Sequence, residues 1–329
     1  MPLRRWLVGA CLGLFAVTGC NCGEEQKPPN VVLGKGDIGA IAPAATGATG
    51  GFTAPLDATP SPDGKDVYFT ARTAEGSGVF KTSASGGTIT PLHVGDPISG
   101  PVGITVSSDN AMLFIADPGA SINDEDQGAI WMVPTGGGAP TLVSGTAGHG
   151  PRGITLLNEG GRDQLYFTGK TPAGNEPGVF KVSTSGGTVE GLVKGAPFSD
   201  PNGLAVTKQG TIYVVDSAAE DLTAGSARVI QVANNTATVF QEGLKVGFPA
   251  GIALSQDESV VLISAVDPTK STDLVVKVNL ATKEQSSYST GIDAFEEAAG
   301  LHRAANAEVY AWCDSSANGS GTVFVLTPQ

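Results

Sequence analysis

Asp200-Pro-Asn-Gly-Leu-Ala205, followed after a short polar turn by Gly210-Thr-Ile-Tyr-Val-Val-Asp-Ser217, is the fullest copy of a phrase that returns six times along the chain. The copies open at Pro55, Pro101, Pro151, Pro201, Pro249 and Ala298, at spacings of 46, 50, 50, 48 and 49 residues. Each contains a short first run, an apolar β-prone run ending near Asp, and a further run that in three copies leads into a Gly-Gly turn. A period of roughly 40 to 50 residues with several short strands per unit is the signature of a propeller blade. The expected fold is therefore all-β, a six-bladed β-propeller of four-stranded blades.

The second run of each copy is the clearest: Val67-Tyr-Phe-Thr-Ala71, Met112-Leu-Phe-Ile-Ala116, Leu165-Tyr-Phe-Thr168, Ile212-Tyr-Val-Val215, Val260-Val-Leu-Ile263 and Val309-Tyr-Ala-Trp312. These runs are apolar on both faces, as strands covered on both sides must be. Third strands are expected at Val79, Ile130, Val179, Val229, Leu274 and Val323. Gly86-Gly87, Gly136-Gly137 and Gly186-Gly187 then suit the tight turn into an outer strand, and Asn234-Asn235 serves the same turn, because Asn tolerates positive φ. The last copy has no residues left for an outer strand after Leu326, whereas Asn30-Val-Val-Leu33 precedes the first copy without a blade of its own. That fragment is expected to close the ring as the fourth strand of the last blade, with Gly34 to Thr53 crossing to blade 1 as a loop.

The N-terminus follows another logic. Arg4 and Arg5 precede an apolar run from Trp6 to Val17, which is too short to span a membrane, and Val17-Thr18-Gly19 leads to Cys20. This arrangement resembles a bacterial lipobox. The resemblance implies a signal peptide at residues 1–19, removed by cleavage before Cys20, and acylation of Cys20 with palmitate-type chains. An ordinary secretory signal with a coincidental cysteine is the alternative. Residues 20–30 then form a flexible tether and residues 31–329 the propeller. Asn21, rather than Asp, stands at the second mature position and points the resemblance towards the bacterial outer membrane. Without the signal the chain has 17 basic and 32 acidic residues, a net of −15, and no run of Lys and Arg, so nucleic acid is excluded as a partner. Cys22 and Cys313 are expected to stay unpaired, since one lies beside the anchor and the other inside a strand.

The phrase at residues 200–217 resembles the senescence-marker/gluconolactonase family and, more loosely, NHL-repeat propellers, with the repeat similarity covering roughly residues 55 to 326. In the gluconolactonase-like enzymes the resemblance implies a divalent metal, commonly Ca²⁺, held at the channel by oxygen ligands from different blades. Asn202 matches the Asn of that family's Asn-Gly-Leu motif. The equivalent positions in the other copies are Leu56, Val102, Arg152, Ala250 and Ala299, none of which is an oxygen ligand. The metal set is thus reduced to Asn202.

Other polar groups flank the starts of the first strands: Asp57, Asp200, Glu296 and Glu297. With Arg152, Asn202 and His149 they form the candidate ligand site at the channel mouth, His149 being the candidate general base. The competing reading makes Asp200 and Asn202 turn formers, pairs Arg152 with an acid, leaves Glu296 and Glu297 solvated, and makes His149 an exposed loop residue. His93 and His302 fall at the end of an outer strand and within an inner strand. The insertion Asn123-Asp-Glu-Asp-Gln-Gly128 lacks the ligand spacing of a calcium loop and is expected to be a solvated loop. Asp216, Asp267 and Asp314 end second strands and are expected to share a turn role.

Two functions remain. One is an envelope-anchored, monomeric propeller lipoprotein acting as a binding or scaffold module for a protein, glycan or small ligand. The other is a lactonase-like, metal-dependent hydrolase with an altered site at the central channel.

Overall fold

The computed structural model describes residues 36–123, 125–217, 227–267, 269–270, 272–289 and 298–328. Six four-stranded antiparallel sheets follow one another around a ring. Five run from an inner strand outwards as a meander and the sixth takes its outermost strand from near the N-terminus; the six inner strands are Thr53–Pro60, Gly103–Val106, Ile154–Glu159, Pro201–Val206, Ile252–Leu254 and Ala298–Arg303.

The core is a set of layers between blades. Val67 and Phe69 pack towards blade 6, while Tyr68 between them packs towards blade 2. Likewise Leu113 and Ile115 face blade 1, and Phe114 and Ala116 face blade 3. The two-residue period of a strand thus sends alternate side chains into opposite interfaces. Both interfaces are dry, which is why the second strands read as continuous apolar runs: Ile212–Asp216, Val260–Val266 and Tyr310–Asp314 are buried at every position. Full burial of each such Val, Leu, Ile or Phe contributes about 1.5–3 kcal/mol. The Cys313 thiol belongs to one of these layers, and burial pushes its pKa well above the ordinary value. Cys20 and Cys22 lie outside the described residues.

The last blade is closed by an N-terminal strand, but by a different segment from the one expected. Ala40–Thr46 pairs antiparallel with Thr322–Thr327, from Ala40 opposite Thr327 to Thr46 opposite Thr322. The stretch expected to be a crossing loop therefore supplies the closing strand, followed by a one-turn helix at Gly47–Gly50. Asn30 to Leu33 lie outside the described residues. The strand slips register between Pro43 and Ala45, so the proline, which has no N–H to give, sits at an irregularity on an edge strand where it is tolerated.

The turns into the outer strands follow expectation with one shift. Gly86, Gly87, Gly186 and Gly187 have positive φ, as do Asn234 at 51° and Asn235 at 56°. In blade 2 the positive φ falls on Gly137 and Gly138, one residue later than the sequence pattern placed it. The acidic insertion is a small hairpin, Ser121–Ile122 with Glu125–Asp126, rather than an irregular loop.

Candidate sites along the central channel

The axis is built from successive positions of the repeat. The second position contributes Leu56, Val102, Arg152, Asn202, Ala250 and Ala299. The third contributes Gly103, Gly153, Gly203, Gly251 and Gly300, with Asp57 in the place glycine holds elsewhere. At this level the inner strands almost touch. A Cβ on Gly153 would collide with the carbonyl oxygen of Asn202, one on Gly203 with that of Ala250, and one on Gly300 with the carboxylate of Asp57. Glycine is required here by proximity, and the space left is about 10 Å³. That is about the volume of one water-sized sphere.

Asp57 completes the constriction. It is 3% exposed, and its carboxylate accepts hydrogen bonds from the backbone N–H groups of Ala58 at 2.9 Å and Ile104 at 2.8 Å. Its Oδ2 also meets Nε2 of His302 at 2.9 Å, linking blades 1, 2 and 6.

Above the constriction, where the inner strands begin, lies the mouth singled out from sequence. Arg152 Nη1 donates to Asp200 Oδ1, and its guanidinium stands 5.6 Å from the ring centroid of the exposed Phe248. Ser217 Oγ donates to Asp200 Oδ2 at 2.8 Å. Asn202 Nδ2 donates to the Asp200 carbonyl at 2.9 Å and to Ser217 Oγ at 3.0 Å, while its Oδ1 is buried without a partner. Arg152, Asp200 and Asn202 are therefore brought together. Asp57 is not among them, because it sits one level deeper with its oxygens engaged. Glu296 and Glu297 lie outside the described residues.

His149 is placed differently from the expectation. It is 9% exposed, with its ring 4.9 Å from Phe180 and 5.9 Å from Phe167, and Nδ1 is 3.1 Å from the Lys170 carbonyl. Burial holds its pKa below the usual value, so the neutral ring donates from Nδ1 and packs as an aromatic. It is a core residue, neither a base at the mouth nor an exposed loop histidine.

Among the described residues, those of the mouth do not fit a divalent metal. Asn202 Oδ1 is the one free oxygen of its level, Asp200 is neutralised by Arg152, and the remaining members are Leu56, Val102, Ala250 and Ala299. A guanidinium at this level repels a cation and takes the carboxylate it would need. Among the described residues no three His, Cys, Asp or Glu side chains converge as a metal set. Of the aspartates that end second strands, Asp267 and Asp314 hold the turns that follow them, accepting from the N–H of Thr269 at 2.8 Å and of Ser316 at 2.9 Å, whereas Asp216 accepts from the N–H of Ser199 at 2.8 Å, in the connection that leads into its blade.

Below the constriction the channel widens into a second cavity, of about 290 Å³, to which all six blades contribute. The residue two beyond the glycine position in each copy lines it: Thr59, Thr105, Thr155, Ala205, Ala253 and His302. The next ring is Pro60, Val106, Leu156, Val206, Leu254 and Arg303. Sequence reasoning centred on the mouth missed this cup. The signal was present in the repeat, one strand period further along.

No protein-family model matches the chain, and no curated sequence is similar to it. Solved structures share its architecture. A gluconolactonase from Xanthomonas campestris superposes with a TM-score of 0.58 at 14% identity, covering 88% of this chain and 98% of that one. A chain of a nidogen/laminin complex gives 0.56 at 18% identity, over 72% of this chain and 80% of that one. TolB from Acinetobacter baumannii gives 0.55 at 14% identity; this chain is covered to 73%, but spans only 55% of that protein. At these identities the likeness is one of fold.

Proposed function

We propose that the chain is a binding propeller tethered to the bacterial outer membrane through lipid on Cys20, presenting its channel ends and loops to a protein, glycan or small ligand. The observation that carries this reading is the Arg152–Asp200 pair, which stands at the level where a gluconolactonase-like site would need oxygen ligands. With Val102, Ala250 and Ala299 completing that level, the geometry favours recognition over metal-assisted hydrolysis. The neighbouring folds are compatible with it, since propellers serve both as enzymes and as interaction modules.

A thermal melt in EDTA against one in millimolar Ca²⁺ tests the proposal. A ligand that binds only the folded state raises its stability by mass action. The expected result is a Tm unchanged within about 1 °C, because among the described residues no carboxylate set is free to hold the ion. A calcium-dependent rise of several degrees that disappears in Asn202→Ala would overturn the binding reading and favour the lactonase-like one.

A further inference from the structure

We propose that the cup below the constriction is a binding site for a small oxyanion-bearing molecule, a carboxylate or a phosphate. It deepens the binding reading above by naming a site and a ligand class. The first observation is a set of unused hydroxyls. Thr59 and Thr105 are 3% and 5% exposed and Thr155 is half-buried, all three line the cup, and none makes a side-chain hydrogen bond among the described residues. None of their Oγ1 atoms is sealed inside the protein, so the hydroxyls open into the cup and are available to whatever occupies it.

The second observation is charge. Arg303 forms no ion pair with a carboxylate among the described residues. Its Nε donates to the Leu254 carbonyl at 2.7 Å, and Nη1 to the carbonyls of Ala304 and Ala307 at 2.5 and 3.1 Å. The guanidinium is thus fixed in the wall by backbone oxygens, leaving Nη2 with its donors unspent. A preset cation of this kind suits an oxyanion, because little side-chain entropy remains to be lost on binding. Lys208 stands at the rim, and the acid beside it, Glu258, accepts from the Lys208 backbone N–H at 2.9 Å.

The third is the arrangement of the floor. His302 is held by Asp57 through Nε2, so Nδ1 is the ring atom left without a partner among the described residues. In blade order His302, Thr59, Thr105 and Thr155 form one continuous polar arc, and Ala205 with Ala253 leaves room on the opposite side. Val106, Leu156, Val206 and Leu254 make an apolar collar one residue farther from the constriction. A ligand entering here would set its anionic end against Arg303 and its hydroxyl or second oxygen against the threonines. In a protein of net charge −13 such a locally basic recess is what makes an anion site workable.

The test is isothermal titration calorimetry of the intact chain with acetate, L-malate and inorganic phosphate. Saturable binding of at least one is expected, and which one binds separates the carboxylate from the phosphate source. The double variant Thr59→Val, Thr105→Val should weaken it about tenfold, the loss for hydrogen bonds to a charged partner. Because those hydroxyls bond nothing among the described residues, its Tm without ligand should not fall. Arg303→Gln should abolish binding, and where that variant melts early the threonine pair decides. No saturable heat from any of the three anions up to about 10 mM, or binding indifferent to the threonine pair, would overturn the proposal. That failure is separable from the earlier one, since calcium stabilisation at Asn202 reports on the other side of the constriction.

Discussion

Asp57 occupies the place that glycine holds in the five other copies, and its carboxylate fills the space those glycines leave at the axis. It accepts from Ala58, Ile104 and His302, so removing it leaves two buried N–H groups and the half-buried His302 ring without that partner. Loss of charged hydrogen bonds of this kind costs about 3 kcal/mol, which for a domain of this size is a fall in Tm of roughly 6–12 °C. Gly300→Ala should also destabilise, because its Cβ would run into Asp57. Combined, Asp57→Gly and Gly300→Ala should cost less than the sum of the two, by about 1–3 kcal/mol, because the first removes the atoms the second collides with. Strictly additive losses in denaturant melts would show that the two residues do not share the constriction. The substitution of Asp for Gly was visible in the repeat, and so was the choice between a free Arg152 and one paired with an acid. His149 was not, because Gly148-His-Gly150 reads locally as an exposed turn and only the packing of Phe167 and Phe180 from other strands encloses it. The three threonines of the cup were equally hidden, since Thr in a strand is explained by β-propensity alone.

At the scale of single elements, the strands were legible wherever burial on both faces wrote an apolar run, and the closing strand was missed because it carries no such run. Ala40–Thr46 is rich in alanine, contains Pro43, and lies outermost in its blade with one edge open, so it needs little side-chain volume. Asn30-Val-Val-Leu33 looks more strand-like by composition, yet pairing is decided by reach and register. Two truncations separate the segments. A chain beginning at Gly36 retains Asp37, which pairs with Lys277 at 2.5 Å and Tyr288 at 2.8 Å, together with the whole closing strand, and should melt close to the full protein. A chain beginning at Gly47 exposes the Thr322–Thr327 edge and opens the layer containing Ala44 and Ala45, and should melt at least 10 °C lower, about 3 kcal/mol or more, or aggregate. Equal melting of the two would mean that ring closure contributes nothing.

At the scale of the ring, six similar interblade layers surround a channel pinched near its middle, so its two ends are chemically separate compartments. Attachment at Cys20 and recognition by the ring are expected to be independent. Under the proposed tether, the lipobox-like stretch ending in Cys20 would act only as an address and an anchor. If so, Cys20→Ser should abolish incorporation of labelled palmitate and move the protein from the membrane fraction to the soluble one. The folded ring should keep its Tm and its anion binding. Two acyl chains supply the membrane affinity that a single chain holds only marginally, so partial labelling should appear as partial release. Palmitate retained by Cys20→Ser, or wild-type protein recovered in the soluble fraction, would remove the tether and leave a secreted propeller whose channel chemistry stands as described.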